Sequence, residues 1–267
     1  MTKLVDEVMA AALELSHGGR WERALALLDA APQEAGIALA AAEVALDRDW
    51  WVGTGTAGER LVAAEKAGAG GWALDFLRLR NDYLQLIHPV GGNFQPGPWG
   101  KDPDAIDGLE RRGEGLRQTA PGQVEGGWAE MYLGLIADNL RADREAAPAH
   151  YEAALAAGAG RDDLLAREAL RHLGDHDHDN GDQALALDRW QRATALGAGA
   201  GRVTGTLSQQ LLLAVLARDA GDEAGAVALA AEVRRWADAL GAIRIRDNAA
   251  GFLAGVDPTA APEEAVA

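Results

Sequence analysis

Between Leu170 and Leu196 the chain reads LRHLGDHDHDNGDQALALDRWQRATAL, and its apolar and small residues recur at helical steps on both sides of Asn180-Gly181. After the turn, Ala186, Trp190 and Ala193 share one face; the two alanines admit a neighbouring backbone, and Trp190 fills the space between. Before the turn, Leu170, Leu173 and Gly174 form a matching face, with Gly174 where another helix presses in. The stretch predicts two amphipathic helices folded back at the Asn-Gly turn.

Similar units can be traced on both sides. The first runs from Leu4 to Ala31, turns at Gly18-Gly19, repeats the spacing at Ala24, Leu28 and Ala31, and places Trp21 as a staple of the turn. A second spans Ile37 to Lys66, with a first helix to Asp49 and a turn containing Gly53, Gly55 and Gly58. The third has a helix from Trp72 to His88, but its next helix begins only near Pro103. The intervening Gly- and Pro-rich residues 89–102 cannot be helical, and Phe94 and Trp99 mark a loop that docks on something. The fourth unit, Val124 to Ala157, carries Leu133-Gly134 and then Ala147, Tyr151 and Ala154. The sixth, Thr206 to Leu240, turns at Gly221-Asp222 and presents Ala226, Ala230 and Val233. Residues 242–255 supply a capping helix, and 258–267 read as a frayed tail. No segment has the alternation of a strand. The expectation is an all-α chain without sheet, a stack of about six antiparallel helical hairpins forming one domain over residues 1–257.

The order Leu170, Leu173-Gly174, Gly181-Asp182, Ala186, Trp190, Ala193 resembles the tetratricopeptide (TPR) repeat. Asp177 stands where that repeat usually has tyrosine, and no proline closes the second helix. The resemblance implies an α-solenoid, a right-handed superhelix whose first helices line a concave face, and recognition of a peptide or protein partner there.

Composition narrows the options. A formal net charge of -16 argues against nucleic acid, which needs clustered Lys and Arg, and suggests a partner with basic or neutral contacts. Cys 0 removes disulfides, thiolate catalysis and Cys-type zinc sites. The N-terminal stretch is interrupted by Asp6, Glu7 and Glu14, unlike a signal peptide, and no run is long enough to span a bilayer. A cytoplasmic protein with no membrane partner and no cofactor is expected.

Candidate contacts come from the exposed side of first helices. The third unit offers Asp75, Arg78, Asp82, Gln85 and His88; the fourth offers Trp128, Met131, Tyr132, Leu135 and Asn139. The fifth offers Glu168, Arg171, His172, Asp175 and Asp179, and the sixth Gln209, Leu212, Val215 and Arg218. Arg78 beside Asp82 could grip a carboxylate, or the two could simply pair at four residues. His172 and His176 lie four apart with Asp175 and Asp179 nearby, a spacing that can hold a metal. The glutamate of a zinc-protease motif is absent, however, so a polar helix end is the better reading and no metal is assigned. Trp21 and Trp190 are core positions; Trp50, Trp51, Trp72, Trp99, Trp128 and Trp236 are not all explained that way, and although most of them read better as core than as contact, Trp99 and Trp128 are taken as candidate anchors. Gly53 to Gly58 lacks the strand context and Lys-Ser/Thr ending of a phosphate loop, and Ser16-His17 and Ser208 lack a triad context, so no catalytic residue is named.

The ligand-binding set is thus Arg78, Asp82, His88, Trp99, Trp128, Tyr132, Asn139, Arg171, His172 and Asp175. It serves a peptide or protein partner on the concave face. The alternative is a small-molecule or catalytic pocket closed by residues 89–102.

Overall fold

The computed structural model describes residues 2–89 and 94–259, and every regular element among them is a helix. The helices are α1 (Thr2–His17), α2 (Trp21–Asp29), α3 (Ala35–Val52), α4 (Ala57–Lys66), α5 (Gly71–Ile87), α6 (Pro103–Gln118) and α7 (Gln123–Asn139). There follow α8 (Ala147–Gly158), α9 (Asp163–Asp179), α10 (Gln183–Gly199), α11 (Val203–Asp219), α12 (Glu223–Leu240) and α13 (Ile243–Leu253). No described helix is long and apolar enough to cross a membrane. Residues 90–93 of the loop and 260–267 of the expected frayed tail lie outside the described residues.

The turns follow from local chemistry. Gly181 and Gly221 adopt φ of 82° and 86°, a left-handed conformation that costs glycine little and other residues more. Each is followed by an aspartate that caps the next helix: Asp182 accepts from the Leu185 amide and Asp222 from the Gly225 amide. In α6, Asp102 caps the Asp104 amide and Pro103 takes the first turn, where a missing N–H costs nothing.

Each helix packs on the next in sequence, from α1 on α2 through α12 on α13. Two of these contacts depend on the absence of a β-carbon. A Cβ at Gly174 would stand 2.5 Å from the Trp190 ring, and one at Gly134 would stand 2.5 Å from the Tyr151 ring. The aromatic residue of the second helix therefore lies against bare backbone of the first, and both rings are fully buried. Trp21 is buried too, but its indole N–H reaches beyond its own turn and donates to Asp47 of α3 at 2.8 Å.

The order of neighbours also returns on itself. α13 touches α3, and the residues that cap and open α11 and α13 bind the last turns of α3. Arg202 donates to Asp47 at 2.5 Å, and Arg244 donates to the carbonyls of Asp49 and Trp50 at 3.0 and 2.5 Å. Gly19 lies against Leu240, so the first turn of the chain also meets the end of α12. A stack in which each unit touches only its neighbours would lack these links. They form because the end of α3 offers a buried carboxylate and terminal carbonyls, both strong acceptors for guanidinium.

Replacing Gly134 by Ala should lower stability by about 1–3 kcal/mol, because the overpacking against Tyr151 outweighs the helix propensity gained. Gly115 of α6 has open space around its Cβ position, so Gly115→Ala should leave stability unchanged or raise it by up to about 1 kcal/mol. Urea unfolding of the two variants measures the contrast.

Candidate functional site

Helices α3, α5, α7 and α9 pack each on the next in that order, and Glu43, Arg80, Arg167, Glu168 and Arg171 are carried on them. Phe76 and Tyr83 of α5 clasp Tyr132 of α7 edge to face, with ring centres 5.4 and 5.6 Å away. One turn after Phe76, Arg80 lays its guanidinium 5.8 Å from the Phe76 ring centre and 3.5 Å from Glu43. Glu168 of α9 and Arg202, the residue before α11, lie within electrostatic reach of the same Tyr132 hydroxyl. Burial raises the Tyr132 pKa, and Arg80 works against that rise, so the phenol stays protonated and able to donate.

Two of the surrounding arginines are held by close ion pairs and two by longer ones. Arg167 is buried, pairs with Glu168 and donates to the Gly205 carbonyl at 2.7 Å. Arg202 is held by Asp47, which also accepts from Ser16 and Trp21 at 2.8 Å each. Burial alone would raise the Asp47 pKa; the Arg202 charge and these hydrogen bonds reverse the effect and hold it below the usual value. Arg80 lies over the Phe76 ring and bonds the Tyr132 hydroxyl, its one ion pair is the 3.5 Å contact to Glu43, and its side chain is 21% exposed. Arg171 meets Asp175 at 3.6 Å and the His172 ring nitrogen at 3.1 Å, and its side chain is 25% exposed. Arg80 thus lies on Tyr132, and Arg171 lies within electrostatic reach of the neighbouring Tyr83.

The expected contact residues divide between this side and others. Tyr132 and Arg171 belong to the group just described. Asn139 donates to the Tyr83 hydroxyl at 2.9 Å, at the end of α7. Trp128 donates to Asp162 at 2.9 Å and so ties α7 to the cap of α9. Arg78 and Asp82 do not pair with each other: Arg78 meets Glu65 of α4 at 2.7 Å, and Asp82 meets Arg112 of α6 at 2.8 Å. With Gln85, Leu86, Ala105 and Leu109, Asp82 borders an open groove of about 650 Å³ between α5 and α6. His88 lies between Trp50 and Phe94, and burial, aided by the Arg244 charge, pushes its pKa down to about 3, so it is neutral.

The described part of the long loop docks on helix ends. The Gln95 amide donates to the Ile87 carbonyl at 2.8 Å, and the Gly97 amide to the Asn139 carbonyl at 2.7 Å. The Lys101 ammonium closes the turn on the carbonyls of Gln95 and Gly97 at 2.6 Å each. Trp99 packs over Gly97 yet remains 56% exposed, and Phe94 is 52% exposed.

His172 and Asp175 enter a second polar cluster, between α7, α8 and α9. Asp138 bonds the His176 ring at 3.0 Å and accepts from the Tyr151 hydroxyl at 3.2 Å. His172 stacks on Tyr151 with centres 5.1 Å apart, and its pKa is lowered by burial and then by the charges of Arg171, His176 and Arg167. Among the described residues, no three His, Asp or Glu side chains are placed to hold one metal ion. Asp138, Asp47, Arg80 and Arg202 were not singled out from the sequence. Their partners lie on other helices, up to 155 residues away, and no local spacing marks them.

No protein-family model matches the chain, and no curated protein resembles it closely enough in sequence to be counted a relative.

Burial, opposed by Arg171 and supported by the charges of Asp138 and Asp179, raises the Asp175 pKa to about 6. A carboxyl raised in this way binds its proton more tightly in the folded chain. Its contribution is fully present below the ordinary carboxyl value and is lost as pH rises through about 6. Asp175→Asn should therefore raise stability at pH 7.5 by about 1–2 kcal/mol, a figure reduced for partial exposure, and by much less at pH 4.5. Thermal melts of parent and variant at the two pH values check this; a larger gain at the lower pH would contradict it.

Proposed function

We propose that the chain is a TPR-like helical repeat, about six hairpins in a right-handed solenoid, and that it binds a peptide or protein segment along its inner side. The resemblance in the fifth unit and the aromatic-over-glycine packing of α7 with α8 and α9 with α10 support the repeat.

The observation that carries the binding proposal is the trio Arg80, Tyr132 and Arg171. They come from three adjacent helices; Tyr132 is buried beneath Arg80, while the Arg80 and Arg171 side chains are 21% and 25% exposed and have only long ion pairs. The net charge of the chain points to basic or neutral contacts, but local charge decides at a contact. Two partly exposed guanidiniums with only long ion pairs favour an acidic group on the bound segment. The rival is a small-molecule pocket under the loop. The groove between α5 and α6 has the volume of a small-ligand site, but its lining comes from those two helices and not from the loop. Its openness suits a segment better than an enclosed metabolite.

Selection from a displayed library of random peptides tests the proposal. Acidic peptides should be enriched, and Arg80→Met or Arg171→Met should each weaken their binding about tenfold, the loss of roughly 1.4 kcal/mol, with circular dichroism unchanged. Enriched peptides indifferent to both substitutions, or a small metabolite that binds where no peptide does, would overturn it.

A further inference from the structure

We infer that the outer face of α6, with the groove beside it, is a self-association surface, through which two copies of the chain pair with their α6 helices antiparallel and crossing near Gly108. This surface does not include Arg80 or Arg171, and its pairing does not rest on the peptide reading.

The groove exists because α5 and α6 cannot close on one another as the later pairs do. Tyr151 over Gly134 and Trp190 over Gly174 need an aromatic residue on the second helix and a glycine on the first. α6 has no aromatic residue, and α5 has no glycine after Gly71. The two helices are tied where α5 begins, by the Trp72 indole donating to the Leu116 carbonyl at 2.9 Å, and again by Asp82 with Arg112 at 2.8 Å. Toward the other end, the long connection from Ile87 to Pro103 lets them part, and Leu86, Ala105 and Leu109 border the groove of about 650 Å³.

The inner side of α6 is filled by Ile106, Leu109, Gly113 and Leu116, and a Cβ at Gly113 would stand 2.8 Å from Leu133 of α7. The outer side is open. Asp104, Ala105, Gly108, Arg111 and Arg112 follow at steps of three and four and so share one face, and all but Gly108 are exposed. A Cβ at Gly108 would meet only the Arg111 guanidinium, at 3.8 Å. Backbone without a side chain at the centre of an exposed face lets another helix approach closely, as Gly134 and Gly174 do within the chain.

Charge selects the second copy as the occupant. Most charges of α6 are satisfied within the chain: Asp107 and Glu110 by Arg141, Arg112 by Asp82, and Glu114 by Arg117. Asp104 and Arg111 have no ion-pair partner among the described residues, and they lie four residues before Gly108 and three after it. Two α6 helices laid antiparallel across Gly108 therefore put each Asp104 beside the Arg111 of the other copy, and the two-fold axis makes the match twice. A parallel pair would set like charges together. An unrelated acidic or basic segment would answer only one of the two.

Sedimentation of the full chain tests this at about 0.15 M salt, where repulsion between two acidic chains is screened beyond about 8 Å. We expect a reversible equilibrium in which the average mass rises with concentration from one chain toward two. Asp104→Arg and Arg111→Glu should each weaken the dimer about tenfold, since symmetry makes every substitution count twice. The double variant, which exchanges the two charges, should restore it. Gly108→Gln, whose side chain has room in the single chain, should keep the helical circular dichroism and lose the dimer. A chain that stays monomeric up to about 1 mM would overturn the inference. So would a dimer indifferent to the single substitutions, or a double variant no better than either one.

Discussion

Where a β-carbon of residue 174 would stand, the edge of a tryptophan ring stands instead. Because Gly174 has no side chain, α10 sits close enough on α9 for Trp190 to be fully buried, and its indole N–H donates to the Arg171 carbonyl at 2.9 Å. Tyr151 repeats the arrangement over Gly134, with its hydroxyl held by Asp138. Each ring fills the space between two helices with its apolar body and ties its polar tip to the helix it covers. Ala186, Ala193, Ala147 and Ala154 flank the rings and are fully buried, keeping the backbones near one another along the contact.

That spacing determines where long side chains can go. Glycine and alanine fill the contacts between successive helices, so arginine and glutamate are displaced to the sides of the stack. On the side shared by α3, α5, α7 and α9 they largely neutralise one another, through Arg202 with Asp47 and Arg167 with Glu168. Arg80 and Arg171 are the members left with the weakest partners. On this side Arg202 with Asp47 also joins the start of α11 to α3. The formal charge of -16 belongs to the whole chain and describes little of this interior.

The helical architecture was legible because its signals are local. Gly181-Asp182 and Gly221-Asp222 mark a left-handed residue followed by a cap, and the Ala-Trp-Ala spacing marks a buried face. The break from α5 to α6 was equally plain, since glycine and proline exclude helix over residues 89–102. Orientation of α5 was not legible. That helix is apolar over most of its circumference and carries arginine on opposite faces, at Arg78 and Arg80, so periodicity could not say which one meets α7 and which meets α4. The links from Asp47 to Arg202 and from Asp49 to Arg244 were invisible for another reason: they join the two ends of the chain, and nothing near either residue records the other.

The most direct test of the packing account is a thermodynamic cycle measured by urea unfolding, with Gly174→Ala made in the parent and in a Trp190→Leu background. If the missing methyl makes room for the indole, the alanine should cost about 1–3 kcal/mol beside tryptophan and become neutral, or stabilising by up to about 1 kcal/mol, beside leucine. An equal cost in both backgrounds would mean that the ring does not set the spacing of the helices, and would contradict the account.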